Sequence, residues 1–174
     1  MNSMQTSRGP AQQTLSMAWL PVLLGLTVIC LESTSTMSGA NTGRWLEDLC
    51  RWLWGHPDES AVASANLVLR KVGHFCGYGT LALLFRRAWM ITLRLSWKGS
   101  RSRLPFSAAA LAVVCTFFVA CLDEVHQRFL PGRFSSFYVV MIDTSGAILF
   151  NWVVRIMMER RRRALLESPN ALLG

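Results

Sequence analysis

Two carboxylates, an imidazole, an amide and two guanidinium groups arrive together in one short stretch of this chain, as Asp123, Glu124, His126, Gln127, Arg128 and Arg133. Groups of these types at close spacing can exchange protons, hold a metal or bind a polar ligand. They follow an uncharged apolar run, residues 104–122, that is long enough to cross a bilayer. Ionisable side chains at the mouth of such a run are costly to keep, and a function is the default explanation for them. A second group lies upstream. Lys71, His74 and Tyr78 are spaced by three and four residues and therefore share one helix face. A third, Asp143, stands about nine residues into another apolar stretch.

The elements that carry these residues are legible from composition. Hydrophobic residues make up 52% of the 174 and charged residues 16%, well under the quarter usual in soluble domains. The reading is an all-α integral membrane bundle of four transmembrane helices, at about 15–32, 61–85, 104–122 and 134–154. A disordered tail at 1–14 precedes it, and a basic cytoplasmic tail at 159–174 follows. A signal peptide is the rival reading of the first run, because Arg8 precedes it and Ser38-Gly39-Ala40 has the small residues of a cleavage site. Within the polar loop at 33–60, apolar residues 45, 46, 49, 52 and 53 have helical spacing. With Trp45, Trp52 and Trp54 they suit a helix lying in the membrane interface. Gly73, Gly77 and Gly79 are expected to let another helix approach closely.

Charge orients the bundle. The 86–103 loop carries Arg86, Arg87, Arg94, Lys98, Arg101 and Arg103 with no acid, and the tail carries Arg155 and four arginines at 160–163. The 33–60 loop holds only Arg44 and Arg51, against Glu47, Asp48, Asp58 and Glu59. Basic residues concentrate on the cytoplasmic side, so both termini and the 86–103 loop are expected there, in an inner cell membrane. All the unusual polar groups then fall in the outer half. Lys71, about 15 Å along its helix at 1.5 Å per residue, is expected to pair with Asp123 or Glu124, and His74 with Asp143. The net charge of +8 sits beside apolar runs, which points to anionic lipid and away from nucleic acid. Cys30, Cys50, Cys76, Cys115 and Cys121 contain no C-x-x-C pair, so neither a disulfide framework nor a zinc knuckle is indicated.

Three motifs in order, Lys71-x-x-His74-x-x-x-Tyr78, Asp123-Glu124-x-His126-Gln127-x-Phe129-x-Pro131-Gly132-Arg133 and Asp143-Thr144-x-Gly146, resemble the VanZ-like family. Trp19-Leu20-Pro21 and Glu32-Ser33-Thr34 resemble the family's first span and its exit. The likeness covers about residues 17–154. It implies a small multi-span inner-membrane protein of a type sometimes tied to teicoplanin resistance. The chain departs from the pattern at Val139, where the family usually has an aspartate, and at Phe150, where it often has glycine. The first departure removes one carboxylate from the outer cluster.

Three functions remain open from the residues. The first is a binding cluster built from Lys71, His74, Tyr78, Asp123, Glu124, His126, Gln127, Arg133 and Asp143, with membrane lipids or lipid-linked cell-wall intermediates as partners. The second is a hydrolase with Asp123 or Glu124 as base and His74 or His126 as acid or metal ligand. No H-E-x-x-H or nucleophile motif accompanies them, so neither a metal nor another cofactor is expected. The third is a polar clamp that only holds helices together. Transport has little support, because no pair of broken helices is present.

Overall fold

The computed structural model describes residues 10–56, 58–96, 102–131 and 135–167. Five helices follow in order: α1 (Pro10–Glu32), α2 (Gly39–Trp54), α3 (Glu59–Ser96), α4 (Leu104–Gln127) and α5 (Phe137–Glu167), with a short 3-10 turn, Ser35–Met37, between the first two. Among the described residues there is no strand.

Local chemistry sets the ends. Helix α1 is described from Pro10 onward. Ser38 caps α2 by accepting from the Asn41 N–H, and Gly55 closes it at φ 85° with its N–H on the Arg51 carbonyl. At the start of α3, Asp58 accepts from the Ser60 N–H at 2.9 Å and the Ser60 hydroxyl at 2.8 Å. The Ser60 hydroxyl, then the backbone N–H groups of Ser60 and Ala61, hold the Asp58 carboxyl below its usual range. The buried face of α4 reads Leu104, Ala108, Ala112, Thr116, Ala120, Glu124 and Gln127. That is one residue per turn, mostly small, and it lets α3 and α5 approach closely.

The molecule is turned inside out relative to a soluble bundle. Leu20, Leu23, Leu24 and Leu31 of α1 face outward, as do Phe118 and Leu122 of α4 and Met141 and Ile148 of α5. Glu124, Gln127, Asp143 and Asn151 are buried. Among the described residues, three helices are long and apolar enough to cross a membrane, at Thr14–Glu32, Leu104–Gln127 and Phe137–Leu165. The fourth crossing expected, on α3, does not meet that standard of length and composition, because Arg70, Lys71, Arg86 and Arg87 interrupt its apolar run.

Contacts fix the direction of each helix. The C-terminal end of α1 meets α4 at its own C-terminal end, where Ser33 reaches Asp123, and the start of α5 joins them, the N–H of Ser136 just before it donating to Glu124. At the other end, Trp19 donates to Thr92 at 3.1 Å and packs edge-on against Phe85 and Trp89. Thus α1 and α4 run one way, α3 and α5 the other.

Several boundaries differ from expectation. Helix α1 begins at Pro10, inside the expected tail; residues 1–9 lie outside the described residues. Helix α3 continues to Ser96, because no Gly or Pro follows Phe85 within the helix, so Arg86, Arg87 and Arg94 are helical and the expected 86–103 loop is much shorter. Helix α5 runs through the four arginines at 160–163 to Glu167; residues 168–174 lie outside the described residues. The register of α3 also shifts. The end of α1 lies level with residues 73–78, since Ile29, Glu32 and Ser33 surround one cleft with Gly73, His74, Gly77 and Tyr78. The part of α3 alongside α1 is therefore about 73–92. The first turns of α3 rise past the end of α1 and carry α2, with Asn66 donating to the Gly39 carbonyl at 2.9 Å and Arg70 to the Met37 carbonyl at 2.7 Å. The expected helix across residues 44–54 is present as part of α2, with Trp45, Leu49, Trp52 and Trp54 exposed on it.

Candidate functional site

The polar residues gather where α1 ends, and glycine explains how. A Cβ on Gly146 would stand well inside contact distance of the Phe75 carbonyl oxygen and 3.1 Å from its carbonyl carbon. Only glycine lets α5 lie this close to the α3 backbone. Asp143 is one turn before Gly146 and His74 immediately precedes Phe75, so the close approach sets them face to face. His74 Nδ1 and Asp143 Oδ1 are 3.3 Å apart. The ring nitrogen is not aligned for a hydrogen bond, and among the described residues both Asp143 oxygens lack one although the side chain is only 1% exposed. A buried carboxylate this short of donors is uncommon. The His74 ring stacks parallel to Tyr78, with centroids 6.0 Å apart.

Asp123 is the hub. Its Oδ1 accepts from the Ser33 hydroxyl, and its Oδ2 accepts from the Tyr78 hydroxyl at 3.0 Å and from Gln127 Nε2 at 2.8 Å. Gln127 Nε2 also lies 3.5 Å from Ser33 Oγ. Three elements are pinned to one carboxylate. The neighbouring Glu124 points elsewhere: its Oε2 accepts the Ser136 N–H at 2.7 Å, placing negative charge at the start of α5, where the helix dipole favours it.

Lys71 does not pair with Asp123 or Glu124. Its ammonium lies 5.2 Å from the centroid of the Tyr138 ring. The register shift carries Lys71 a turn beyond the cluster, and Val139 follows Tyr138 where the motif pattern would place a carboxylate. A cation over an aromatic face is what remains. His126 and Arg128 are exposed. Arg133 lies outside the described residues. The structure thus brings together His74, Tyr78, Asp123, Gln127 and Asp143, with Glu124 beside them, and leaves Lys71 and His126 apart. Sequence reasoning missed Ser33 as a site residue; its position right after Glu32, at the exit of an apolar run, was the available signal.

Between α1 and α3 the cluster opens into a small cleft of about 20 Å³, lined by Glu32, Ser33, His74, Tyr78 and Asp123, with Ile29 below and Gly73 and Gly77 as one wall. A Cβ added at Gly73 or Gly77 would meet nothing within 4 Å. These two glycines face open space, contrary to the expectation that they serve helix packing. Gly79 does pack, beneath the Phe150 ring. Chemically, the cleft offers fixed acceptors on Asp123 and an imidazole backed by Asp143. The Ser33 hydroxyl is held by Asp123 and not by His74, so no serine–histidine nucleophile is assembled. Among the described residues no three His, Cys, Asp or Glu side chains converge as metal ligands.

A family model described as VanZ/LLP1 matches residues 5–158. No curated protein and no solved structure matches the chain.

Proposed function

This chain belongs to the VanZ/LLP1 family, and from that premise we propose a four-crossing membrane protein whose outward-facing cleft binds the polar headgroup of a lipid-linked cell-envelope molecule. The observation that carries this reading is the open wall at Gly73 and Gly77. A clamp has no use for glycines that face open space beside its polar groups, whereas a headgroup approaching along that open face meets fixed donors and acceptors. Glu32 and Asp123 at the cleft suit ligand hydroxyl or amide N–H groups, and Arg70 and Lys71, about one turn above on α3, suit a phosphate at the rim.

The fourth crossing is α3. Its alignment beside α1, from the cleft to the Trp19–Thr92 bond, supports a path through the same thickness that α1 covers. The lower charge load of α2 and the basic end of α5 support the cluster facing outward and both termini facing the cytoplasm of an inner membrane. Any effect on teicoplanin susceptibility should then depend on the same cleft.

The test is binding of a short-chain polyprenyl-pyrophosphoryl disaccharide-pentapeptide to the purified chain in nanodiscs. The wild type should bind saturably. The Gly73→Ala/Gly77→Ala double variant should bind at least ten-fold more weakly while melting no lower, since alanine is the better helix former. Undiminished binding by that variant, or none by the wild type, would refute the proposal.

A further inference from the structure

The opposite end of the bundle carries a second, larger opening. A groove of about 920 Å³ runs between α4 and α5, at the upper end of the range of ordinary small-molecule pockets. Its floor is apolar, formed by Ala110, Val113, Val114 and Ile148, and its margin is set with Arg86, Arg103, Arg155 and Arg162. Glu159, the acid among its described lining residues, is engaged by Arg155 at 2.9 Å.

Arg86 is the anomaly. It is only 7% exposed, so it does not snorkel freely to water as a membrane arginine ordinarily does. Its Nη1 lies 3.5 Å from the Asn151 carbonyl and its Nη2 3.5 Å from the Met158 sulfur. The contact to the carbonyl sits at the outer limit of hydrogen bonding, the contact to sulfur is an ordinary weak one, and neither partner is an anion. No carboxylate pairs with Arg86 among the described residues, and the connecting residues 97–101 contain no acid. Asn151, buried on the same groove, has a side-chain oxygen without a donor among the described residues. A buried guanidinium without a counter-ion is costly unless an anion arrives from outside the chain.

We propose that this groove holds an anionic phospholipid of the surrounding bilayer. Its phosphate meets Arg86 and the marginal arginines, and its acyl chains lie along Val113, Val114 and Ile148. Charge complementarity selects this occupant: guanidinium groups match phosphate oxygens in pairs, and the apolar floor continues from them into the hydrocarbon-facing side of α4. The site is distinct from the polar cleft, which α3 lines with Gly73, His74, Gly77 and Tyr78, at least two turns before Arg86.

Native mass spectrometry of the detergent-purified full chain tests it, with dioleoyl-phosphatidylglycerol and dioleoyl-phosphatidylcholine added in equal amounts. The wild type should retain the anionic lipid at least ten-fold in preference. Arg86→Gln should abolish the preference, and Gly73→Ala/Gly77→Ala should leave it intact. Ala110→Trp, at an exposed position of the floor, should reduce uptake without disturbing buried packing. Equal uptake of the two lipids by the wild type, or an unchanged preference in folded Arg86→Gln, overturns the proposal. If Arg86→Gln fails to fold, Ala110→Trp decides: lost retention supports the site, and full retention overturns it.

Discussion

Asp123 receives hydrogen bonds from Ser33, which immediately follows α1, from α3 through Tyr78 and from its own helix through Gln127. Tyr78→Phe removes one of these donors from a carboxylate and should lower stability by about 1–2 kcal/mol. Asp123→Ala strands all three donors at once and should cost more; thermal unfolding in detergent measures both. The neighbours Arg70 and Lys71 divide differently than their charges alone suggest. Arg70 holds the Met37 carbonyl at 2.7 Å, while Lys71 has, among the described residues, the exposed Tyr138 ring. Arg70→Ala should therefore be the more damaging change, by about 1 kcal/mol, and the reverse order would contradict the register described here. The pairing of His74 with Asp143 was legible in the sequence, because each is an expensive group in an apolar helix at matching depth. The partner of Lys71 was not legible, because it depends on where α3 lies along α1 and nothing local encodes that.

Helix α5 packs on α3 through two glycines of unequal severity. Gly146→Ala brings a methyl against backbone at Phe75, which cannot step aside, and should cost about 3 kcal/mol. Gly79→Ala meets the Phe150 ring at 2.8 Å, and a side chain can move, so about 1 kcal/mol is expected. In a Phe150→Ala background the Gly79→Ala penalty should largely vanish while that of Gly146→Ala persists, a difference that a double-mutant cycle reads directly. The same geometry accounts for Phe150 at a position where the family often has glycine: its ring sits over Gly79 and edge-on to Phe75 at 6.1 Å. Helices α1, α4 and α5 were legible as apolar runs. The extent of α3 was not, because its arginines imitate the end of a span while its backbone has no reason to stop. The glycine roles were legible in kind only; spacing marks a small-residue face but does not say whether backbone, a ring or empty space lies opposite.

At the scale of the whole molecule, every functional statement depends on α3 joining the two ends of the bundle across a membrane. If α3 crosses, the polar cleft and the arginine-lined groove serve opposite faces, and a headgroup site can work from outside while phospholipid is held from within. If it does not, residues 48 and 103 lie on the same side, whatever the other helices do. Asp48 on α2 and Arg103 before α4 are both exposed, so cysteine can replace each, in a chain whose five native cysteines are changed to alanine. Intact cells expressing either variant are treated with a membrane-impermeant maleimide, and lysed cells give the full signal. The four-crossing arrangement predicts that Asp48→Cys is labelled in intact cells and Arg103→Cys only after lysis. Equal labelling of the two positions in intact cells would contradict it.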